Sequence, residues 1–179
     1  VDVNDAPTLL RFPKGAVVAD IPAFERRDGI DVLYRGESAD VLLISIGAMA
    51  NISVEAASQA YREGVGVTVI DPRWVKPLPQ SLITMAQRYK SVVVLEDGIR
   101  HGGIASTVSE MFRDANLQVP IHSIGVPLEF LEHSKRDQVL QDLGITVQNI
   151  TRSIVEWSSC LKEEMQFPAD ENASRTQLR

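Results

Sequence analysis

The sequence of 179 residues contains a single cysteine, Cys160, and no apolar run near the roughly 20 residues of a membrane-spanning helix. One cysteine cannot form an internal disulfide, so a reducing compartment, the cytoplasm, is the expected location. No charged segment followed by an apolar stretch opens the chain, so no secretory signal is visible. The 18 Lys and Arg residues, against 24 Asp and Glu, are dispersed, which argues against a nucleic-acid surface.

What the sequence does contain is typical of one globular domain, with 44% hydrophobic and 23% charged residues. Four apolar runs predict strands, and because they are apolar on both faces they favour a parallel sheet covered by helices on both sides. The predicted strands are Asp40–Ile46, Gly66–Ile70, Ser91–Leu95 and Val119–Ile124. The predicted helices are Asn51–Glu63, Leu78–Tyr89, Gly103–Ala115, Ser134–Leu143 and Val147–Leu161.

Ile30–Tyr34 is a fifth predicted strand, joined to the next by a turn too short for a parallel crossover. The expected fold is therefore a three-layer α/β/α domain whose five-stranded, mostly parallel sheet has Ile30–Tyr34 as an antiparallel edge strand. We expect residues 1–29 to hold the end of a preceding domain and a linker, and 30–161 to form the α/β domain. Residues 162–179 are expected to be a disordered polar tail.

The most suggestive polar cluster comprises Glu96, Asp97, Arg100, His101, Gly102 and Gly103. It lies where a predicted strand ends and a helix begins, and free N–H groups at a helix start favour anions. An anion or substrate site is one interpretation. A turn or interface in which the charges pair locally is the other, and the sequence favours it. No serine elbow, Walker loop, dinucleotide fingerprint or zinc-ligand spacing accompanies the cluster, so neither a catalytic residue nor a metal ligand is predicted.

Two further segments stand out. Arg73, Trp74 and Lys76 lie in a loop constrained by two prolines, and Arg and Trp are common in interfaces, so a structural loop or a subunit contact is predicted there rather than a catalytic role. Arg11 and Lys14 flank a Phe-Pro step and could present a cation to a phosphate. A solvated linker is the other interpretation, and the residues by themselves favour it.

The order of these motifs resembles the C-terminal domain of the transketolase family, in particular its deoxyxylulose phosphate synthase branch of actinobacterial type. Pro7–Gly15 (PTLLRFPKG) resembles that branch's RYPRG segment, and Asp71–Leu78 (DPRWVKPL) its R-F-V-K-P-L motif. Val94–Gly103 (VLEDGIRHGG) and Ile124–His133 (IGVPLEFLEH) follow in the family's order and with its spacing.

The resemblance implies an enzyme that joins pyruvate to glyceraldehyde 3-phosphate with loss of CO2, forming a precursor of isoprenoids and thiamine. Such enzymes are homodimeric transferases that use thiamine diphosphate and magnesium, bound by domains preceding this one. The chain would then be an inactive fragment that partners those domains, an expectation that its start inside a linker supports. By the resemblance, Lys14 falls on a residue that binds the acceptor's phosphate, and Arg11 assists it. The alternatives are a free-standing docking module of the same fold, or the C-terminal domain of a transketolase or of a 2-oxo-acid dehydrogenase beta subunit.

Overall fold

The computed structural model describes Pro7 and residues 19–166 of the chain. The strands of this part are β1 (Glu25–Arg27), β2 (Ile30–Tyr34), β3 (Val41–Ser45), β4 (Val67–Asp71), β5 (Ser91–Ile99) and β6 (Ile121–Val126). The helices are α1 (Ala50–Arg62), α2 (Ser81–Ala86), α3 (Ile104–Asp114), α4 (Arg136–Asp142) and α5 (Val147–Gln166), and a 3-10 turn at Gly47–Met49 precedes α1.

The sheet has six strands in the order β1-β2-β4-β3-β5-β6. β3, β4, β5 and β6 pair in parallel, which confirms the mostly parallel sheet. β2 is antiparallel, as predicted, and the strand it pairs with is β4. The strand count and the edge assignment were wrong. Ile30–Tyr34 is the second strand, because β1 pairs with it antiparallel and takes the edge.

β1 was missed because Glu25, Arg26 and Arg27 have no apolar alternation. The strand exists because Asp28 and Gly29 adopt left-handed backbone angles, with φ of 50° and 84°, and close a two-residue hairpin onto β2. The guanidinium of Arg26 donates to Asp31 across the pair. A short, charged edge strand of this kind resists pairing with other chains.

Helices cover both faces of the sheet, which confirms the three layers. One face packs against α1 and α5 through small residues of α1 (Ala56, Ala57, Ala60) and Ile150 and Ile154 of α5. The other face packs against α2 and α3 through Leu82 and Phe112. Val41–Ser45, the central strand β3, is buried at every position, as expected for a strand covered on both sides.

Several boundaries differ from the predicted ones. β5 does not stop at Glu96 but continues through an irregularity to Ile99, which pairs with Val126. α5 extends to Gln166, past the start of the predicted tail at residue 162, while residues 167–179 lie outside the described part. His122 on β6 is half-buried and stacks on Trp157 of α5, with ring centroids 4.2 Å apart. Burial lowers the pKa of this histidine.

Candidate functional site

The polar clusters singled out in the sequence lie at one edge of the sheet, where β3, β4, β5 and β6 all end. Because these strands are parallel, the segments that follow them meet at this carboxyl edge. In open α/β sheets, ligands bind at the carboxyl edge. The 73–76 loop follows β4, the cluster from Glu96 to Gly103 ends β5 and begins α3, and residues 127–133 follow β6.

Glu96 is the buried member of the cluster, with 3% of its surface exposed. Its carboxylate accepts hydrogen bonds from the backbone N–H of Ile104 and of Ala105, each 3.0 Å long, at the first turn of α3. A carboxylate at this position satisfies two otherwise unpaired N–H groups and complements the helix dipole. The anion that the α3 terminus attracts is therefore the protein's own side chain, and these two N–H groups are not offered to an external anion.

Glycines make room for this carboxylate. A Cβ on Gly103 would lie 2.6 Å from both carboxylate oxygens of Glu96 and 2.2 Å from the carbonyl oxygen of Ile99. A Cβ on Gly98 would lie 2.9 Å from one of the same oxygens. Gly103 therefore permits the close approach of the Ile99 carbonyl oxygen and of the Glu96 carboxylate, while a Cβ on Gly102 would meet nothing within 4 Å.

Asp97, the next residue, joins β5 to α4. Its carboxylate lies 2.8 Å from a guanidinium nitrogen of Arg136, and the same nitrogen lies 3.9 Å from the sulfur of Met49. Arg136 was not identified from the sequence, and no local signal could have found it, because 39 residues separate the pair. Both side chains are about one-third exposed, so this ion pair lies at the surface of the carboxyl edge.

The remaining members of the cluster do not converge with Glu96. Arg100 donates a hydrogen bond from Nε to the hydroxyl of Ser123 on β6, at 3.2 Å, and its backbone N–H donates to the carbonyl oxygen of Val126. Gly102 has a φ of +80°, which favours glycine, and its N–H donates to the hydroxyl of Ser106. His101 is exposed. Of these charged side chains, Arg100 is held by a hydroxyl on the neighbouring strand and His101 faces solvent.

The 73–76 loop is also held by local bonds. Arg73 adopts a left-handed backbone with φ of +58°, and its N–H donates to the carboxylate of Asp71 at 2.7 Å. Burial raises the pKa of Asp71, and a hydrogen bond from Arg26 lowers the pKa of Asp31, which also lies 3.7 Å from Arg73. Trp74 is 71% exposed and Lys76 is exposed. One strand, β3, separates this loop from the Glu96 cluster.

Lys14 and Arg11, the predicted phosphate ligands, lie outside the described residues. Among residues 19–166 there is no group of three or more His, Cys, Asp or Glu side chains that could hold a metal ion. Within the same part of the chain, no helix combines the length and the apolar character that crossing a membrane would require.

Comparison with known proteins identifies the family to which this domain is similar. The family model "Transketolase, C-terminal domain" matches residues 31–150, two-thirds of the chain. The chain belongs to that family.

Two curated proteins that are similar to this chain carry the name 1-deoxy-D-xylulose-5-phosphate synthase. One, from Mycobacteroides abscessus, is 48% identical over 166 residues, covering 91% of this chain and 26% of the relative. Another, from Saccharopolyspora erythraea, is 46% identical over 160 residues, covering 88% and 25%. The chain therefore spans about a quarter of the length of these relatives, and their actinobacterial sources agree with the resemblance seen in the motifs.

A solved structure titled "Split gene transketolase, inactive beta4 tetramer" is similar to this one with a TM-score of 0.69 and 26% sequence identity. The match covers 81% of this chain and 48% of that chain. It confirms the fold class.

Proposed function

We propose that this domain is the C-terminal part of a synthase that condenses pyruvate with glyceraldehyde 3-phosphate to 1-deoxy-D-xylulose 5-phosphate, with loss of CO2. The observation that carries the proposal is the 46–48% identity to proteins of that name, which extends over about nine-tenths of the chain. Asp71–Leu78 and Ile124–His133, the two motifs most specific to this branch, both lie inside the matched family region.

The whole enzyme would use thiamine diphosphate and magnesium, which supply the carbanion chemistry. The described residues do not fit that group, because they contain no cluster of metal-ligating side chains, and the start of α3 is already capped by Glu96. The proposal therefore assigns the cofactor to the part of the longer polypeptide outside this chain. On its own, this chain would be catalytically silent.

The contribution of the chain itself would be assembly and one substrate contact. Arg73, Trp74 and Lys76 would form an interface loop at the carboxyl edge, where Trp74 is exposed. Lys14, with Arg11 beside it, would bind the phosphate of glyceraldehyde 3-phosphate in the whole enzyme, which we propose to be a cytoplasmic homodimer. A lysine supplies the charge for this contact but not the bidentate geometry of an arginine.

A second candidate is a transketolase whose domains are encoded on separate chains. It is favoured by the similarity to a structure titled as a split gene transketolase. In that case this domain would act as a subunit that docks onto a separately encoded catalytic chain.

The test is an activity assay on the full-length protein that carries this domain. With thiamine diphosphate, magnesium, pyruvate and glyceraldehyde 3-phosphate, we expect 1-deoxy-D-xylulose 5-phosphate and CO2 in equal amounts. Ketol transfer between sugar phosphates, with no turnover of pyruvate, would contradict the proposal and support the transketolase candidate. Omitting pyruvate from the synthase assay, while keeping both cofactors, is the matched control.

A further inference from the structure

A groove runs between α2 and the β1–β2 hairpin, on the face of the sheet away from α1 and α5. Its volume is about 720 Å3, within the range of sites that hold small molecules. One wall is a stripe of α2 and the turn after it, formed by Ser81, Thr84, Met85 and Arg88. These residues are three, four and seven positions apart, so they share one face of the helix. The hairpin forms the opposite wall.

The two ends of the groove lie at different edges of the sheet. Because β2 pairs antiparallel with β4, the hairpin tip at Asp28 lies toward the carboxyl edge, and residues 36–39 lie toward the amino edge. α2 leads from the carboxyl end of β4 to the amino end of β5, so Ser81 lies at the first end and Arg88 at the second. The seven positions between them span roughly 10 Å of helix, so the groove is elongated.

The end of the groove at Arg88 offers hydrogen-bond donors that the described residues do not use. Arg88 is exposed, and no carboxylate among the described residues pairs with it. Thr68 on β4 is buried and accepts a hydrogen bond from the N–H of Gly36 at 3.3 Å, which leaves its hydroxyl hydrogen to donate. A guanidinium beside a donating hydroxyl is a combination that binds a phosphoryl group.

The carboxylates at this end have other partners. Glu25 forms an ion pair with Arg35, which offsets its charge. Glu37 accepts a hydrogen bond at 2.9 Å from the hydroxyl of Tyr61 on α1, so its carboxylate is directed to the opposite face of the sheet. The Arg88 end therefore favours an anion.

The other end of the groove suits hydroxyl groups. The hydroxyl of Ser81 is buried and has no hydrogen-bond partner among the described residues. Buried polar groups in native proteins are normally paired, so an unpaired one in a groove indicates a missing partner. Asp28, at the hairpin tip, offers a carboxylate that accepts hydrogen bonds from hydroxyl groups. Between the two ends, Val32 and Met85 line the groove with apolar surface.

We propose that this groove binds a small phosphorylated molecule that carries several hydroxyl groups, of the sugar phosphate class. Its phosphoryl group would contact Arg88 and Thr68, and its hydroxyl groups would contact Ser81 and Asp28. The lining of the groove lies within this chain and away from the cluster around Glu96, so the proposal does not depend on the proposed function.

Hydrogen exchange of the full-length protein, followed by peptide mass spectrometry, tests the proposal with ribose 5-phosphate as the probe. Peptides that cover residues 81–89 report on the groove. At a probe concentration ten times its Kd, exchange that requires the site to open should slow about tenfold. Inorganic phosphate and ribose, each at the same concentration, present one half of the probe, and each should protect the segment less.

Two variants locate the protection. Arg88→Met should reduce it to about twofold or less, because the charge-assisted contact to the phosphoryl group is lost. Arg62→Met is the matched control, since Arg62 is exposed at the end of α1 on the opposite face, and it should leave the protection unchanged. Ser81→Ala should weaken protection by ribose 5-phosphate and leave the smaller protection by inorganic phosphate as it was.

Unchanged exchange of residues 81–89 at millimolar ribose 5-phosphate would overturn the proposal. Protection that survives Arg88→Met would also overturn it, because the probe would then act from another site. Equal protection by inorganic phosphate would mean that the groove binds a bare anion, and equal protection by ribose would mean that the phosphoryl contact is wrong. Either result contradicts the proposed class of ligand.

Discussion

The carboxylate of Glu96 occupies the space that a side chain on Gly103 would need. A Cβ at residue 103 would lie 2.6 Å from both carboxylate oxygens, closer than real contacts allow. The Glu96 carboxylate in turn accepts hydrogen bonds from two backbone N–H groups of α3. The glycine and the carboxylate together therefore determine the geometry of the connection from β5 to that helix.

Gly103→Ala should therefore destabilise the chain by about 2–3 kcal/mol, because the added methyl overpacks a rigid site. Urea unfolding followed by circular dichroism measures the change. Gly29→Ala is the matched control: its Cβ would meet nothing within 4 Å, and only its φ of +84° opposes alanine, at a cost of about 1 kcal/mol. A Gly103→Ala variant no less stable than Gly29→Ala would contradict the close approach.

Replacing Glu96 tests the same contact through the carboxylate instead of the glycine. Glu96→Ala should cost about 2–4 kcal/mol in the free energy of unfolding, since two N–H groups of α3 lose their buried acceptor. Glu96→Gln should cost less, because its amide oxygen still accepts one bond. Asp97→Ala, one residue away, removes only a partly exposed ion pair and should cost less than about 1 kcal/mol. Similar losses for Glu96→Ala and Asp97→Ala would argue against the cap.

The sequence predicted the layers but not the contacts that complete the carboxyl edge. The parallel strands β3, β4 and β5 were predictable because burial on both faces makes their sequences largely apolar, as in Val41–Ser45. Asp28-Gly29 was a hairpin signal, but the charged residues before it carry no strand pattern, so β1 was missed. Glu96 was placed in a cluster with two interpretations, an anion site or a turn with locally paired charges, and nothing local shows that a carboxylate eight residues upstream caps Ile104. The pairing of Asp97 with Arg136 depends on tertiary packing alone.

The buried carboxylate of Asp40 predicts a pH dependence of stability. Burial by itself would raise the pKa of Asp40, but hydrogen bonds from Lys90, Ser38 and the N–H of Gly66 outweigh it and lower this pKa to about 2. A carboxyl group whose pKa is lower in the folded state stabilises the fold above its unfolded pKa of 3.8. That stability is lost as the pH falls toward 2.

Asp40→Asn should accordingly be less stable than the parent chain at pH 6, by about 2 kcal/mol, and the difference should shrink between pH 4 and pH 2. Urea unfolding of both proteins at each pH gives the difference directly and cancels the titration of other carboxyl groups. Lys90→Met, which removes the ammonium 2.7 Å from Asp40, should reproduce part of the effect. A difference that stays constant from pH 6 to pH 2 would exclude this carboxylate as the source.

The 179-residue chain alone should not bind thiamine diphosphate. The proposed function assigns the diphosphate–magnesium site to the rest of the longer polypeptide, and the two N–H groups at the start of α3 that could attract a diphosphate are already taken by Glu96. Calorimetric titration of the chain with thiamine diphosphate and magnesium should show only the heat of dilution. Micromolar binding would mean that the proposed division of labour between this domain and the rest of the enzyme is wrong.

Lys14 should matter to one substrate and not to the other in the full-length enzyme. A phosphate dianion beside an ammonium group gains a charge-assisted hydrogen bond of about 1.5–3 kcal/mol, roughly 10- to 150-fold in affinity. Lys14→Ala should therefore raise the KM for glyceraldehyde 3-phosphate about tenfold or more, and leave the KM for pyruvate, which has no phosphate, nearly unchanged. Steady-state kinetics with each substrate varied in turn measures both values.

Lys14→Arg is the matched control for that experiment. It keeps the charge and adds the bidentate fork, so we expect the KM for glyceraldehyde 3-phosphate to stay equal or fall. If Lys14→Ala raised both KM values equally, the segment from Arg11 to Gly15 would act in folding or in domain docking rather than at the phosphate. If only Lys14→Arg impaired the enzyme, the site would be too narrow for a guanidinium, and the phosphate contact would have to be assigned to another residue.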